Sequence, residues 1–161
     1  MGSDSGRPDL SVLYLDTRAR LVALVAELDA TALATPVPAC PGWSVQDVVA
    51  HEVAITEDAL AGRLTGPPSD EQTAAQVARF KGRDIAAVLA TWAQTAPRFA
   101  AAAAAAGAWP AVLDIGSHEH DIRGALGRPA IPRPCSIAWR SSARHSSTSS
   151  SEPALAAPAR A

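Results

Sequence analysis

This 161-residue sequence has few cysteines and no large excess of one charge sign. Only Cys40 and Cys135 are present, each in a proline-rich stretch and without a C-x-x-C pair. The sequence therefore gives no basis for a disulfide framework or a thiolate zinc knuckle, and a reducing cytoplasm is the expected compartment. The formal net charge is −2, and no run is strongly basic. This balance argues against a nucleic-acid partner and against binding to an anionic membrane surface.

Several common functional signatures are also missing. No stretch is long, apolar and uncharged enough to span a bilayer, and the N-terminus lacks the basic and apolar regions of a signal peptide. There is no G-x-S-x-G segment, neither cysteine has a recognisable histidine partner, and no glycine-rich phosphate loop is present. These absences argue against a serine or cysteine nucleophile and against a phosphate-binding loop.

What the sequence does contain is helical periodicity. Apolar residues recur every three or four positions in several segments, as on the buried face of an amphipathic helix. Ser44 is suited to cap the second of these helices. In chain order, the pattern predicts helices over residues 9–30, 45–62, 71–80, 85–106 and 109–127. With 48% hydrophobic residues, residues 9–130 are expected to form one all-α domain built from the four long helices.

Residues 131–161 lose this periodicity. They are rich in serine, alanine and proline, and Glu152 is the only acidic residue among them. This composition predicts a disordered tail. The abrupt change is also typical of a GC-rich gene translated in a shifted frame, or of a truncated protein that has lost its natural C-terminal part.

The strongest chemical signal is the segment DIGSHEHD at residues 114–121. On a helix, spacings of four and three residues place Asp114, His118 and Asp121 along one face. Carboxylate oxygen and neutral imidazole nitrogen are ligands for zinc and similar cations. His51 lies on the second long helix, in an apolar stripe expected to face the core. His51, Asp114 and His118 are therefore the predicted ligands of an open metal site in a helical bundle.

The same residues have ordinary alternatives. His51 would then be a core histidine, and Asp114 and His118 a pair on the helix surface. Asp121, the candidate catalytic residue, lies one turn beyond His118 and would orient its imidazole or contact the substrate. Its alternative is a solvated acid at the helix end, paired with a nearby arginine.

Neighbouring polar and aromatic residues are given lesser roles. His120 points away from His118 on a helical wheel and is the reserve ligand. Glu52 and Glu119 lie about 100° off the ligand faces, so they are expected to face solvent or to surround the ligands without binding the ion. Trp43 and Tyr14 are expected to be core residues.

Two segments resemble a known family. PGWSVQDVVAH at residues 41–51 resembles the PGW-S/T-V-x-D-V-x-x-H segment of the mycothiol-dependent maleylpyruvate isomerase N-terminal domain, a relative of the DinB-like four-helix bundles. HEHDIRGALG at residues 118–127 is similar to that family's H-x-x-D-L…A-L-G segment. The resemblance covers residues 9–130 and implies an up-and-down bundle that holds a divalent metal, usually zinc. His51 matches the first ligand and His118 the last, whereas Asp114 stands where the isomerase has glutamate.

The resemblance also implies a chemistry. Mycothiol would be the thiol cofactor, and in the isomerase its metal-bound thiolate adds to an activated double bond, permits rotation and leaves again. Other members resemble thiol transferases that act on small electrophiles. The isomerase has a further C-terminal domain, to which nothing after residue 132 is similar.

Three other functions are consistent with the sequence. One is a non-catalytic, metal-binding bundle. Another is a hydrolase that uses metal-bound water, with Asp121 or Glu119 as the general base. The last is a metal-free interaction domain in which the alanine-rich third long helix is the partner surface. The oligomeric state has no signal in the sequence.

Overall fold

The computed structural model describes residues 8–131, and the secondary structure in this range is helical. The elements are α1 (Leu10–Val25), α2 (Ala30–Leu33), α3 (Val45–Leu60), α4 (Asp70–Ala78), α5 (Ile85–Ala105) and α6 (Trp109–Ala125). The prediction of an all-α bundle is confirmed. None of these helices is both long and apolar enough to cross a membrane. The predicted tail over residues 131–161 lies, apart from Ile131, outside the described residues.

The four long helices enclose one hydrophobic core. Helices α1 and α3 each pack against both α5 and α6, and α4 packs against α3. Trp92 on α5 is fully buried, and its indole Nε1 donates a hydrogen bond to the Tyr14 hydroxyl on α1 at 3.1 Å. The rings of Tyr14 and Phe99 meet edge-on, with centroids 5.0 Å apart. Tyr14 is therefore a core residue, as predicted.

The first helix is shorter than its sequence pattern predicts. It ends at Val25, not near residue 30, and the chain turns before α2 begins. Asp29 explains the break, because its side chain accepts a hydrogen bond from the backbone N–H of Ala32 at 2.8 Å and so caps a new helix. Leu28 still packs against the core, which is why the apolar periodicity continues past the end of α1.

The loop between α2 and α3 is folded back on itself by backbone hydrogen bonds. The N–H of Val37 donates to the carbonyl of Trp43 at 2.9 Å. Gly42 takes the left-handed backbone conformation that this turn requires, with φ of +84°. A capping box between Ser44 and the side chain of Asp47 then begins α3. This loop carries Cys40 against His118 of α6 and Trp43 against His51 of α3.

Candidate metal centre

His51, Asp114 and His118 converge between α3 and α6. One ligand atom from each side chain lies within 4.8 Å of the other two. The Nε2 atom of His118 is 3.8 Å from Oδ1 of Asp114. The imidazole rings of His51 and His118 meet at right angles, with centroids 5.6 Å apart. The structure thus brings together the three residues that the sequence predicts as ligands, and their role as ligands stays a prediction.

The donor set fits a zinc-like cation. Bonds from zinc to nitrogen or oxygen are about 2.0–2.2 Å, so two ligand atoms of a tetrahedral site are about 3.4 Å apart. The observed separations, up to 4.8 Å, reach that spacing with side-chain movements of about 1 Å. The Asp114 side chain is 42% exposed, so the group is open on its side. Three protein ligands with an open position are typical of catalytic zinc sites, because closed structural sites use four.

His51 is the buried member of the group. Its side chain is 5% exposed, and the Trp43 ring lies against it with centroids 5.1 Å apart. Trp43 is half-buried and packs on the core, as predicted, but it also contacts the site. Burial lowers the pKa of His51, although the charge of Asp114 offsets part of this effect. The imidazole is therefore neutral at neutral pH, which is the form that binds a cation.

Asp121 approaches the other nitrogen of the His118 ring. Its Oδ2 is 3.4 Å from Nδ1 of His118, whereas Asp114 approaches Nε2. A carboxylate that accepts a hydrogen bond from Nδ1–H fixes the tautomer in which Nε2 carries the lone pair. This geometry favours the orienting role that the sequence predicts for Asp121 over the alternative of an arginine-paired surface acid.

Glu119 does not face solvent, so that one of its two predicted surroundings is wrong. Its carboxylate is fully buried and accepts hydrogen bonds from Arg20 on α1 at 2.8–3.1 Å and from Arg123 at 2.9–3.1 Å. The helical wheel correctly predicts that Glu119 points away from the ligand face, but it cannot show that Arg20 of α1 lies there. Glu119 therefore links α6 to α1. Because both arginines donate hydrogen bonds to its carboxylate oxygens, these oxygens are not free to accept a proton as a catalytic base does. The reserve ligand His120 is exposed.

Cys40 has a histidine partner that the sequence did not reveal. Its Sγ is 3.8 Å from Nδ1 of His118 and 4.0 Å from Oδ2 of Asp121. These three side chains form a second group whose ligand atoms lie within 4.8 Å of one another. Burial raises the pKa of the Cys40 thiol, and the charges of Asp121 and Asp114 raise it further. The only sequence signal for this contact was that Cys40 directly precedes the P-G-W segment.

Glu52 is likewise buried beside the site. Its side chain is 2% exposed, and Oε1 has no hydrogen-bond partner among residues 8–131. Burial raises the pKa of Glu52 well above its usual value, and the charge of Asp114 adds to this effect. Of the two surroundings predicted for Glu52, exposure to solvent is therefore wrong. The neutral, protonated carboxyl is therefore favoured at this position.

Replacing Glu52 with glutamine is expected to stabilise the chelator-treated protein increasingly as the pH rises. Because the pKa is higher in the folded than in the unfolded state, the carboxyl's contribution to stability is complete below its unfolded-state pKa. That contribution is lost as the pH rises through the folded-state pKa. The stability advantage of E52Q over the parent should therefore grow between about pH 5 and about pH 8, by on the order of 1 kcal/mol or more.

Urea unfolding at the two pH values measures this difference. The control is Glu27→Gln, which makes the same change at an exposed position after α1 and should shift stability by less than about 0.5 kcal/mol. If E52Q differs from the parent by the same amount at both pH values, the raised pKa is wrong.

An apolar hollow opens beside Asp114. It has a volume of about 490 Å³, and its lining includes Ile55, Leu64, Phe99 and Ala111. Among the residues from 8 to 131 that line it, Asp114 alone is charged. The size is within the range of small-molecule sites. A small apolar molecule bound there would have one end against a candidate metal ligand.

The comparison with known families gives a match that covers both motifs and the candidate centre. The sequence model of the mycothiol maleylpyruvate isomerase N-terminal domain matches residues 14–128. No curated protein and no solved structure matches the chain. The matched range includes His51, Asp114, His118 and Asp121 and nearly all of the described helices. The chain therefore belongs to the mycothiol maleylpyruvate isomerase N-terminal domain family.

Proposed function

We propose that this protein binds a divalent, zinc-like metal ion and uses it with mycothiol to isomerise a small electrophile or to transfer a thiol to it. The observation that carries the proposal is the convergence of one atom each from His51, Asp114 and His118, drawn from two helices, within 4.8 Å. Membership of the family supports mycothiol as the thiol. The predicted cytoplasmic location is compatible with a thiol cofactor, because cytosolic thiols are kept reduced.

Each residue of the centre has a defined task in this proposal. His51 and His118 supply imidazole nitrogens, Asp114 supplies a carboxylate oxygen, and Asp121 holds the His118 ring in the required tautomer. When bound there, a divalent cation would lower the pKa of a coordinating thiol and so supply a thiolate nucleophile at neutral pH. Because His51 is buried while Asp114 is partly exposed, the thiol approaches from the Asp114 side.

The apolar hollow beside Asp114 is the place we assign to the electrophile. Its lining is almost entirely hydrocarbon, which stabilises the apolar part of a small molecule. The carboxylate of Asp114 at its edge keeps the reactive end of that molecule next to the centre. The hollow thus brings the two reactants together, which is the largest contribution that positioning residues make.

The hydrolase alternative has weaker support. Glu119 is held by two arginines and is not free to take a proton from water. Asp121 faces Nδ1 of His118, the opposite ring nitrogen from the one that faces Asp114. A non-catalytic metal-binding bundle would use the same three ligands, and it differs from the main proposal only in having no thiol-dependent activity.

Elemental analysis of purified protein tests the metal site. We expect about one zinc-like ion per chain in the wild type and almost none in a His51→Ala, His118→Ala double variant, because two of three ligands are lost. The matched control is His120→Ala, which removes an exposed histidine from the same helix and should leave the metal content unchanged.

Repeating the metal analysis in the presence of a low-molecular-weight thiol distinguishes the thiol-dependent enzyme from the non-catalytic bundle. Thiol binding that requires the metal supports the isomerase or transferase proposal, whereas metal binding without any effect of thiol favours the non-catalytic bundle. Metal-free wild-type protein after reconstitution with zinc would overturn the proposal. The two histidines would then be structural.

A further inference from the structure

A buried polar network joins α4 to the end of α3. Asp58 is 5% exposed and accepts hydrogen bonds from Nε2 of Gln76 at 2.7 Å, from Nε of Arg63 at 2.8 Å and from a terminal nitrogen of Arg79 at 2.8 Å. Burial would raise the pKa of Asp58, but the hydrogen bonds from Gln76, Arg79 and Arg63 outweigh burial and lower it. Asp58 is therefore an ionised carboxylate at neutral pH.

This carboxylate fixes the orientation of the Gln76 amide. Gln76 is fully buried on α4. An ionised carboxylate has no proton to donate, so only the NH₂ side of the amide is stable against Asp58. The carbonyl oxygen Oε1 must then face away from Asp58. The amide orientation, which is otherwise ambiguous for a glutamine, is set by the charge of its partner.

The other end of the Gln76 amide interacts with His51. Oε1 of Gln76 and Nδ1 of His51 are both buried, and neither has a partner that meets strict hydrogen-bond geometry within residues 8–131. Burial has the largest effect and lowers the pKa of His51, but the Gln76 side chain is close enough to the ring to offset part of this effect, as an acceptor beside a ring N–H does. The contact is therefore a long or poorly aligned hydrogen bond. Such bonds at functional sites are often loose until a ligand binds.

We propose that Gln76 is a positioning residue, whose Oε1 accepts a hydrogen bond from Nδ1–H of His51 and so keeps the Nε2 lone pair available for a metal ion. The inference rests on the proposed metal site and adds to it a residue from a third helix. This hydrogen bond would pair two buried atoms that otherwise lack a partner, the donor Nδ1 of His51 and the acceptor Oε1 of Gln76. Arg63, Arg79 and Asp58 anchor the amide.

The same arrangement serves the second histidine. In this inference Gln76 has the role at Nδ1 of His51 that Asp121, at 3.4 Å, has at Nδ1 of His118. Metal-binding histidines commonly donate their second N–H to such an outer acceptor, which fixes the ring and its tautomer. A neutral amide suits the buried His51, because a second carboxylate there would have to be buried beside Glu52 and Asp58.

The first test reads the tautomer of His51 in the chelator-treated wild type by long-range ¹H–¹⁵N NMR spectroscopy. We expect Nδ1 to carry the proton and Nε2 to be bare when the ring is neutral. The opposite tautomer would overturn the inference. This measurement needs no metal, no substrate and no variant, so its outcome is independent of whether the proposed function is correct.

The second test replaces the acceptor with Gln76→Leu, which has a similar size. We expect His51 to lose its single Nδ1–H tautomer and the affinity for zinc, measured by chelator competition, to fall about 10–100-fold. The matched control is Gln46→Leu, the same change on α3, where the amide donates only to the backbone carbonyl of Arg83 at 2.7 Å. Both properties should be unchanged in this control.

The outcomes separate the inference from the function on which it rests. If zinc does not bind the wild type but the tautomer changes in Gln76→Leu, the metal site fails and the Gln76 contact stands. If zinc binds and Gln76→Leu alters neither the tautomer nor the affinity, the inference fails and the metal site stands. If Gln76 has only a structural role, the wild-type His51 ring should have the intrinsic Nε2–H tautomer. Gln76→Leu should then lower the stability of the protein without changing that tautomer.

Discussion

Replacing Glu119 with alanine is expected to lower the free energy of unfolding by about 3 kcal/mol, the lower end of the range for removing one partner of a buried ion pair. Its carboxylate is fully buried and accepts five hydrogen bonds from Arg20 and Arg123. The two arginine side chains are 40% and 20% exposed, so water stabilises them in part when the carboxylate is gone. The loss therefore does not reach the upper end of the range.

The same variant separates structure from catalysis at this position. Metal content per folded chain should be unchanged in Glu119→Ala, because Glu119 belongs to neither group of converging ligand atoms. Urea unfolding measures the stability, and Glu27→Ala, at an exposed position, is the control that should shift it by less than about 0.5 kcal/mol. Loss of metal with full stability would instead place Glu119 among the ligands.

The helices could be predicted from the sequence because their signals are local. Apolar periodicity and the cap at Ser44 depend on residues within one or two turns, and the predicted starts of the three later long helices agree with the structure. The predicted end of α1 was wrong because the Asp29 side chain accepts a hydrogen bond from the backbone N–H of Ala32, which competes with continuation of the helix. Periodicity alone does not register such competition, since Leu28 remains apolar and packs on the core.

The candidate site could be predicted only as far as spacing on one helix reveals it. Asp114 and His118 are four residues apart, so any helix makes them neighbours. The contacts of Cys40 with His118 and of Glu119 with Arg20 span 78 and 99 residues, and they follow from how the loop and α1 pack on α6. The burial of Gln76 and Glu52 was missed for a related reason, because such side chains are usually exposed.

Two groups of ligand atoms share His118, and the structure favours one of them as the metal site. His51 and Asp114 lie with His118 in the first group, and Cys40 and Asp121 lie with it in the second. In the second group the ion would have to take Nδ1, the nitrogen whose N–H is placed to donate a hydrogen bond to Asp121. Burial also raises the pKa of the Cys40 thiol, so the proton must be removed before the sulfur can bind a cation.

Asp114→Ala should therefore weaken metal binding strongly, whereas Cys40→Ser should leave it nearly unchanged. We expect Asp114→Ala to weaken zinc binding by at least about 100-fold, because even the loss of an outer partner costs about 10–100-fold. Cys40→Ser preserves the size of the side chain and should change the affinity by less than about threefold, which is less than about 0.7 kcal/mol. Chelator competition gives both values. Cobalt substitution adds an independent readout, since sulfur coordination produces an intense ligand-to-metal charge-transfer band that the first group would lack. A strong effect of Cys40→Ser together with that band would move the ion to the Cys40 side of His118, and Asp121 would then be a ligand and not the residue that orients the ring.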